Sequence, residues 1–455
     1  MGLFRFASDS PNHMAIAAIL SGNFRLNLRP VFAPLSPLSI GDTLDPSHIR
    51  RVLVTKLRHR GDVLLASPVL SALKRNLPEA EIDAPAYHCG RGMRILHTEA
   101  SCGWGGQEIR ILEEARGLIA RGHEISLACP PHARIFSEAG RHGVPVIALP
   151  IGRKNLRGLF ALRRHILRIR PDVINTHSST DTWLAALARL FLSTPPPLVR
   201  TRHISAPIPC NAASRWLYTR ATAHIVTTGE RLRETLIREN GYPGEMITSI
   251  PTGVDPQRFQ PGDRLAARQE LGLDPDLRYI GIVATLRSWK GHHHLIDACR
   301  QIVGHDWRLL IIGDGPRWDY LREMVARLGL DERVRFLGQR EDPEHWLPAF
   351  DLFCLPSYAN EGVPQAILQA MLAGLPIVTT PVGSITEAVE HGKSALIVAP
   401  GDITALAQAI QRLLDNPELG RSLGEAARST ALAHHTREAM LDAMQGLFER
   451  VTRAH

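Results

Sequence analysis

From Met93 onward the chain alternates short apolar runs, Gly-containing loops and amphipathic helical stretches, and it does so in two successive series. This alternation restricts the fold more than any other feature. A strand, a helix and a second strand in succession close as a right-handed parallel unit with the helix lying over the sheet. In the first series the apolar runs predict strands over 93–98, 125–128, 144–149, 172–176, 198–201 and 224–227. A polar stretch over 256–263 and a short helix follow. The second series predicts strands over 279–284, 309–312, 334–337, 351–355, 377–379 and 395–398. The expected architecture is α/β, with two Rossmann-like domains over 92–264 and 265–435 and a cleft between them. An amphipathic helix over 437–453 ends the chain within a tail of 436–455.

At 455 residues the chain suffices for two or three domains, each with its own core. Its net charge of +8 points to an anionic partner, such as nucleotide phosphates or anionic lipid heads. Nucleic acid fits poorly: aromatics are 5%, and there is no RNP-type motif, paired Cys/His finger or basic zipper. The six cysteines form no C-x-x-C pair and share no spacing, which reads as reduced thiols in a cytoplasmic protein. The early apolar run Met14 to Leu20 is too short to span a bilayer. It also lacks the flanks of a secretory signal. No metal is expected at His292, His293 and His294, because three adjacent residues at a helix start do not face one ion.

The candidate chemistry sits where strands end. The run over 351–355 enters a polar loop carrying Glu361 and Gly362, and a helix starts near Pro364. A carboxylate and a helix N-terminus therefore meet at the carboxyl edge of a parallel sheet, where open α/β sheets bind ligands and helix ends attract phosphate. After the strand over 279–284 come Arg287 and Lys290, three apart and ahead of a helix. Arg binds phosphate in bidentate fashion and Lys adds a point charge, so the pair suits a pyrophosphate. Gly313 lies in a Gly-Asp-Gly turn after the next strand, and Gln339 and Arg340 follow the one after that. In the first series Gly105 and Gly106 open a helix whose backbone N–H groups can approach an anion or a sugar oxygen. Glu108 stands one turn further on, and His177 ends the strand over 172–176 facing the same cleft.

These motifs resemble the retaining glycosyltransferases of family 4, over roughly the stretch from Met93 to the end. The matching segments are the Glu361 loop, the Arg-x-x-Lys-Gly run ending at Gly291, the Gly105-Gly106 loop and the strand-end His177. The second acid of the family's acid-x7-acid signature is here Gln369. The resemblance implies a GT-B fold and transfer of a sugar from a nucleotide diphosphate donor to an acceptor hydroxyl, with retention and without a metal. It implies that Arg287 and Lys290 stabilise the leaving diphosphate. Glu361 would hold sugar hydroxyls, and Gln369, on the same helix face, would reach the ribose. Gly105, Gly106, Gly313, Gln339, Gly362 and Val363 would bind the donor, Glu108 the acceptor, and His177 the sugar or the reaction centre. The acceptor would be a glycan or a lipid-linked glycan. The leaving phosphate would help to deprotonate it from the front face.

Two regions fall outside that scheme. Residues 1–46 are rich in Pro, Ser and Asn and read as a poorly ordered leader, or as a start codon placed too early. Residues 47–91 hold a strand over 52–57, the loop Arg58 to Asp62, a helix over 63–76 and a possible strand from 80 to 83. This βα unit resembles the first unit of the family 9 lipopolysaccharide heptosyltransferases, through Gly61, Asp62, Val63, Pro68 and the run from Leu73 to Ile82. It reads as a fusion remnant, and it hints at lipopolysaccharide core assembly. Alternative readings are a heptosyltransferase, which the short match disfavours, and a non-catalytic nucleotide-sugar-binding protein, which Gln369 suggests. A helix over 153–170 carries seven Arg and Lys, and its apolar side is expected to pack on the sheet. Its cations point to peripheral contact with an anionic inner-membrane surface.

Overall fold

The computed structural model describes residues 92–455 except Phe191 and Ser205. Before residue 92 it describes only the backbones of five short strands: Leu3–Ala7, Met14–Ala18, Asn27–Pro30, Arg51–Val54 and Glu81–Asp83. Arg51–Val54 and Glu81–Asp83 pair in parallel. The rest of 1–91, including the Arg58 to Asp62 loop, the helix expected over 63–76 and Cys89, lies outside the described residues. Residues 93–120 and 124–455 form one compact unit.

That unit contains two wholly parallel sheets. The first lobe has β1 (Arg94–Thr98), β2 (Glu124–Cys129), β3 (Val146–Ala148), β4 (Val173–Thr176), β5 (Leu198–Arg202), β6 (His224–Thr227) and β7 (Ile247–Ser249). Their order is β7-β6-β5-β4-β1-β2-β3. The second lobe has β8 (Arg278–Val283), β9 (Trp307–Ile312), β10 (Val334–Gly338), β11 (Leu352–Leu355), β12 (Ile377–Thr379) and β13 (Leu396–Ile397). Their order is β10-β9-β8-β11-β12-β13. In both sheets the order of succession reverses beside the first strand, at β1/β4 and at β8/β11, and such a switch point leaves a crevice at the carboxyl ends. Strand β7 was not legible in the sequence. It is a three-residue edge strand, too short to show a period.

Successive residues of the first-lobe strands face opposite sides of the sheet. Ile95, Leu127, Val173, Val199 and Val226 pack under the helices Gly106–Ala120 and Arg437–Arg453. Leu96, Ala128, Ile174, Leu198 and Ile225 pack under the helices Leu156–Ile169 and Ser179–Arg189. Both faces are covered, which is why these strands read as continuous apolar runs. The last helix reaches the first lobe from the second, and Leu441 fills the space left by the absent side chain of Gly117. Arg437 pairs with Asp255 at 2.8 Å where the chain crosses back.

The basic helix departs from expectation. It spans Leu156–Ile169, with Asn155 accepting a bond from the Gly158 N–H at 2.6 Å. Leu162 and Ile166 are buried, and Leu159 and Ile169 are partly so. Leu156, Phe160 and Leu167 are 70%, 64% and 54% exposed. Helical spacing explains the split: 159, 162, 166 and 169 form one stripe, while 156, 160 and 167 form a second that the sheet cannot reach.

Candidate active site

The carboxyl edges of the two sheets enclose a cavity of about 460 Å³. The second lobe supplies most of the predicted donor groups. Arg287, Lys290, Gly313, Gln339, Glu361, Gly362, Val363 and Gln369 all line it. From the first lobe come Gly105, Gly106 and Glu108.

Glu361 is 5% exposed and held by three bonds. Lys290 Nζ donates to Oε1 at 2.6 Å and to Oε2 at 2.9 Å, and Ser357 Oγ donates to Oε1 at 2.6 Å. Two local features bring Lys290 there. A single tight turn, Ser288–Lys290, follows β8, and Gly291 continues it at φ 75°. A Cβ at Gly291 would stand 2.1 Å from the carbonyl oxygen of Pro356, so the turn can abut the Glu361 loop only through glycine. The Tyr358 N–H bonds the Trp289 carbonyl at 2.8 Å and ties the same two loops. Arg287 is exposed, with its guanidinium 5.7 Å from the Trp289 ring centroid.

One geometric expectation needs correction. Glu361 and Gln369 do not share a helix face, because the helix is Gln365–Leu372 with Pro364 as its N-cap. Glu361 belongs to the preceding loop, where Asn360 adopts a left-handed φ of 57°. Both residues nonetheless line the cleft. Gln369 is nearly buried, and its amide has no protein partner among the described residues.

The first-lobe side of the cleft is densely hydrogen-bonded. Ser101 Oγ donates to Glu108 at 3.0 Å, and burial raises the Glu108 pKa. Beneath it Glu99 is fully buried, accepting from the Ser101 N–H at 2.6 Å and from the Gln107 amide. Burial first, then the nearby Asp181 and Glu108 carboxylates, push Glu99 up to about 8. Asp181 accepts from Thr98 Oγ at 2.6 Å and from the His177 N–H at 2.9 Å.

His177 does not line the cavity. It is 2% exposed, and its ring lies between two other imidazoles. His97 Nδ1 and His177 Nε2 are 3.0 Å apart, as are His177 Nδ1 and His203 Nε2. Of the three, His203 is the residue that lines the cavity, and the sequence reading did not single it out. The signal was present: His203 follows β5 as His177 follows β4. Ser357, Gln365, Thr285 and Thr228 were also missed, and all but Ser357 line the cavity.

Among the described residues no group of three or more His, Cys, Asp or Glu is placed to hold a metal ion, and the five described cysteines are free. No described helix is long and apolar enough to cross a membrane.

Two family models match this chain: "Glycosyltransferase Family 4" over residues 104–258 and "Glycosyl transferases group 1" over 263–430. Among curated proteins, the D-inositol 3-phosphate glycosyltransferase of Stackebrandtia nassauensis is 29% identical over 398 residues, covering 76% of this chain and 88% of that protein. The lipopolysaccharide core biosynthesis mannosyltransferase LpsB of Rhizobium meliloti is 33% identical over 213 residues, covering 45% of this chain and 58% of LpsB. Several further relatives are likewise spanned over little more than half their length. Among solved structures, Anabaena HepE in complex with UDP-glucose superposes with a TM-score of 0.70 at 24% identity, over 79% of this chain and 100% of HepE. Two parallel Rossmann-like lobes facing a cleft are the GT-B arrangement. The chain belongs to the family 4 glycosyltransferases. Neither family model reaches residues 1–103, so the likeness of the 50–83 stretch to family 9 gains no support.

Proposed function

We propose that this enzyme transfers a sugar, with retention, from a nucleoside diphosphate donor to a hydroxyl of a cell-surface glycan or lipid-linked glycan. The observation that carries this reading is the juxtaposition of Arg287, Lys290 and Glu361 at one sheet edge, with Lys290 bonded to both oxygens of Glu361. In the reaction the bond from the anomeric carbon to the phosphate oxygen breaks. A bond from that carbon to the acceptor oxygen forms on the same face, and the acceptor proton passes to the leaving phosphate. Negative charge grows on the diphosphate, and Arg287 and Lys290, both lining the cavity, offset it. Glu361 accepts hydroxyls of the transferred sugar, and Gln369 takes a ribose hydroxyl through its amide oxygen. Gly313, Gln339, Gly362 and Val363 complete the donor wall, so the donor binds mainly to residues 265–435. Gly105 and Gly106 approach it from the first lobe, and Glu108 takes the acceptor.

The acceptor class is supported by two facts. LpsB acts in lipopolysaccharide core biosynthesis and is 33% identical over its matched segment. The first lobe also presents Leu156, Phe160 and Leu167 to solvent among the exposed cations Arg153, Lys154, Arg157, Arg164 and Arg168. Apolar side chains rimmed by cations suit the anionic surface that carries lipid-linked glycans.

The test is turnover with a panel of UDP- and GDP-sugars and truncated lipopolysaccharide acceptors. Arg287→Ala and Lys290→Ala should each lose about a hundredfold or more in kcat while remaining folded. Wild-type rates in both variants at saturating donor would refute the assignment.

A further inference from the structure

We propose that Glu387 is a positioning residue for the transfer: from the second lobe it caps a first-lobe helix, and the same contact clamps the Glu361 loop in place. The inference rests on the assignment of Glu361 to the transferred sugar and adds a residue that holds its loop. Glu387 stands outside the cavity wall, so it acts through that loop and not on a substrate.

The helix Glu230–Arg238 starts without a cap of its own. Its N-cap is Gly229, which has no side chain to offer the first N–H groups. The acceptor comes from the other lobe. The Glu230 N–H donates to Glu387 Oε2 at 2.6 Å, and the Arg231 N–H donates to Oε1 at 2.8 Å. A carboxylate that takes two N–H groups at the positive end of a helix makes a charge-assisted contact. Arg231 Nη1 adds a bond to the Gly383 carbonyl at 3.3 Å. The lobes meet closely at the same place: a Cβ at Gly229 would stand 2.1 Å from Ser384 Oγ.

The turn that supplies the cap also supports the Glu361 loop. It runs from the end of β12 into the short helix Ile385–Ala388, which carries Glu387. Thr380 Oγ, at the start of the turn, donates to the Ser357 carbonyl, and Ser357 Oγ donates to Glu361 Oε1 at 2.6 Å. Gly383 takes a left-handed φ of 60°, and a Cβ there would stand 2.0 Å from the Glu361 carbonyl oxygen. Gly362, next in the loop, packs against the first lobe, where a Cβ on it would stand 2.7 Å from Thr228 Oγ. Thr228 directly precedes Gly229. One first-lobe segment, residues 228–231, therefore meets both the Glu361 loop and the turn that supports it. Of the three hydrogen bonds between that segment and the turn, Glu387 makes two. Losing them loosens the clamp on the loop, and the donor site is then complete in a smaller fraction of molecules.

The direct test is hydrogen exchange of the ligand-free, full-length protein, read by mass spectrometry. In Glu387→Ala the amides of 229–238 and of 357–364 should both exchange about tenfold faster than in wild type. A cap that served only its own helix would speed the first segment alone. Glu387→Gln, which keeps one acceptor oxygen and loses the charge, should fall between. Gly229→Ala approaches the same contact from the other lobe. The backbone there is extended, at φ −172°, so alanine suits the chain itself, and its Cβ wedges the lobes apart at Ser384. Both segments should again speed up, and adding Ser384→Gly, which removes the atoms in the way, should largely restore wild-type exchange. UDP-glucose and GDP-mannose serve as donor probes: whichever binds wild type should bind Glu387→Ala about fivefold more weakly. Faster exchange confined to 229–238 in both variants would overturn the proposal, as would an unchanged nucleotide-sugar affinity in Glu387→Ala. Wild type that binds neither probe would overturn the donor-site reading, and exchange at 357–364 would then decide the coupling by itself.

Discussion

At the scale of single residues the cleft is organised by one shared carboxylate. Glu361 holds Lys290 with side chains only 6% and 19% exposed, so each group neutralises a charge that would otherwise be desolvated alone. Replacing Glu361 by Gln keeps the shape and the Ser357 contact but removes the charge. It should lower kcat by about 10² or more. Gln369→Glu should be neutral or favourable, because the amide it replaces has no protein partner and a carboxylate accepts a ribose hydroxyl equally well. Steady-state kinetics on both variants check the pair; inactivation of Gln369→Glu with the fold intact would refute the ribose role. Most of this site was legible because strand ends are legible: Arg287, Lys290, Gly313, Gln339 and Glu361 each follow an apolar run. The same rule misled at His177. A strand-end residue can point down into the sheet edge as well as out of it, and neighbouring strands decide which. Glu99 was beyond reach for a related reason. Nothing local distinguishes a fully buried carboxyl from an ordinary loop acid.

At the scale of elements, parallel strands covered on both faces made the central strands easy to find. Long apolar runs gave β1, β8 and β11, and Gly-rich loops marked the helix starts behind them. The edge strand β7 carried no period, and the helix Leu156–Ile169 carried two. Its second stripe, Leu156, Phe160 and Leu167, looks in sequence like part of the core stripe; only the position of the sheet separates them. That stripe also determines how the element should behave on vesicles. Each cation near an anionic surface contributes about 1 kcal/mol, and Phe160 adds apolar insertion. The full-length protein should co-sediment with phosphatidylglycerol vesicles and not with phosphatidylcholine alone. Arg157→Glu combined with Arg164→Glu should abolish the binding, while turnover on a soluble acceptor stays within about twofold because both side chains are exposed and outside the cleft. Equal binding to both vesicle types would refute an electrostatic surface contact.

At the scale of the whole molecule, the two lobes are joined by more than the linker. The last helix crosses back, Val254 pairs with Thr436, and Glu387 of the second lobe caps the helix Glu230–Arg238 of the first through the N–H groups of Glu230 and Arg231. Stability should then report on buried titrating groups in both lobes together. Burial lowers His97 and His224 to about 4 and His292 to about 3, from an ordinary 6.5. Between about pH 6.5 and 4 the unfolded chain takes up protons that the folded chain refuses, so stability falls as pH falls. The acids act in the opposite sense. Burial raises Glu99 to about 8 and Glu114 to about 7, from an ordinary 4.5. The folded chain keeps protons that the unfolded chain has released, and stability therefore falls as pH rises from 4.5 through 8. The two trends oppose each other below about pH 6.5, where the histidines outnumber the acids, and only the acids act above it. Tm should peak near neutrality, at about pH 6 to 7, and decline on both sides. Glu99→Gln removes one titrating acid while its amide still accepts from Ser101. It should flatten the alkaline decline between about pH 6.5 and 8 and steepen the acid decline below about pH 6.5, where Glu99 opposed the histidines. Thermal unfolding of both proteins over this range checks the assignment, and parallel alkaline limbs would show that Glu99 is ionised in the folded chain.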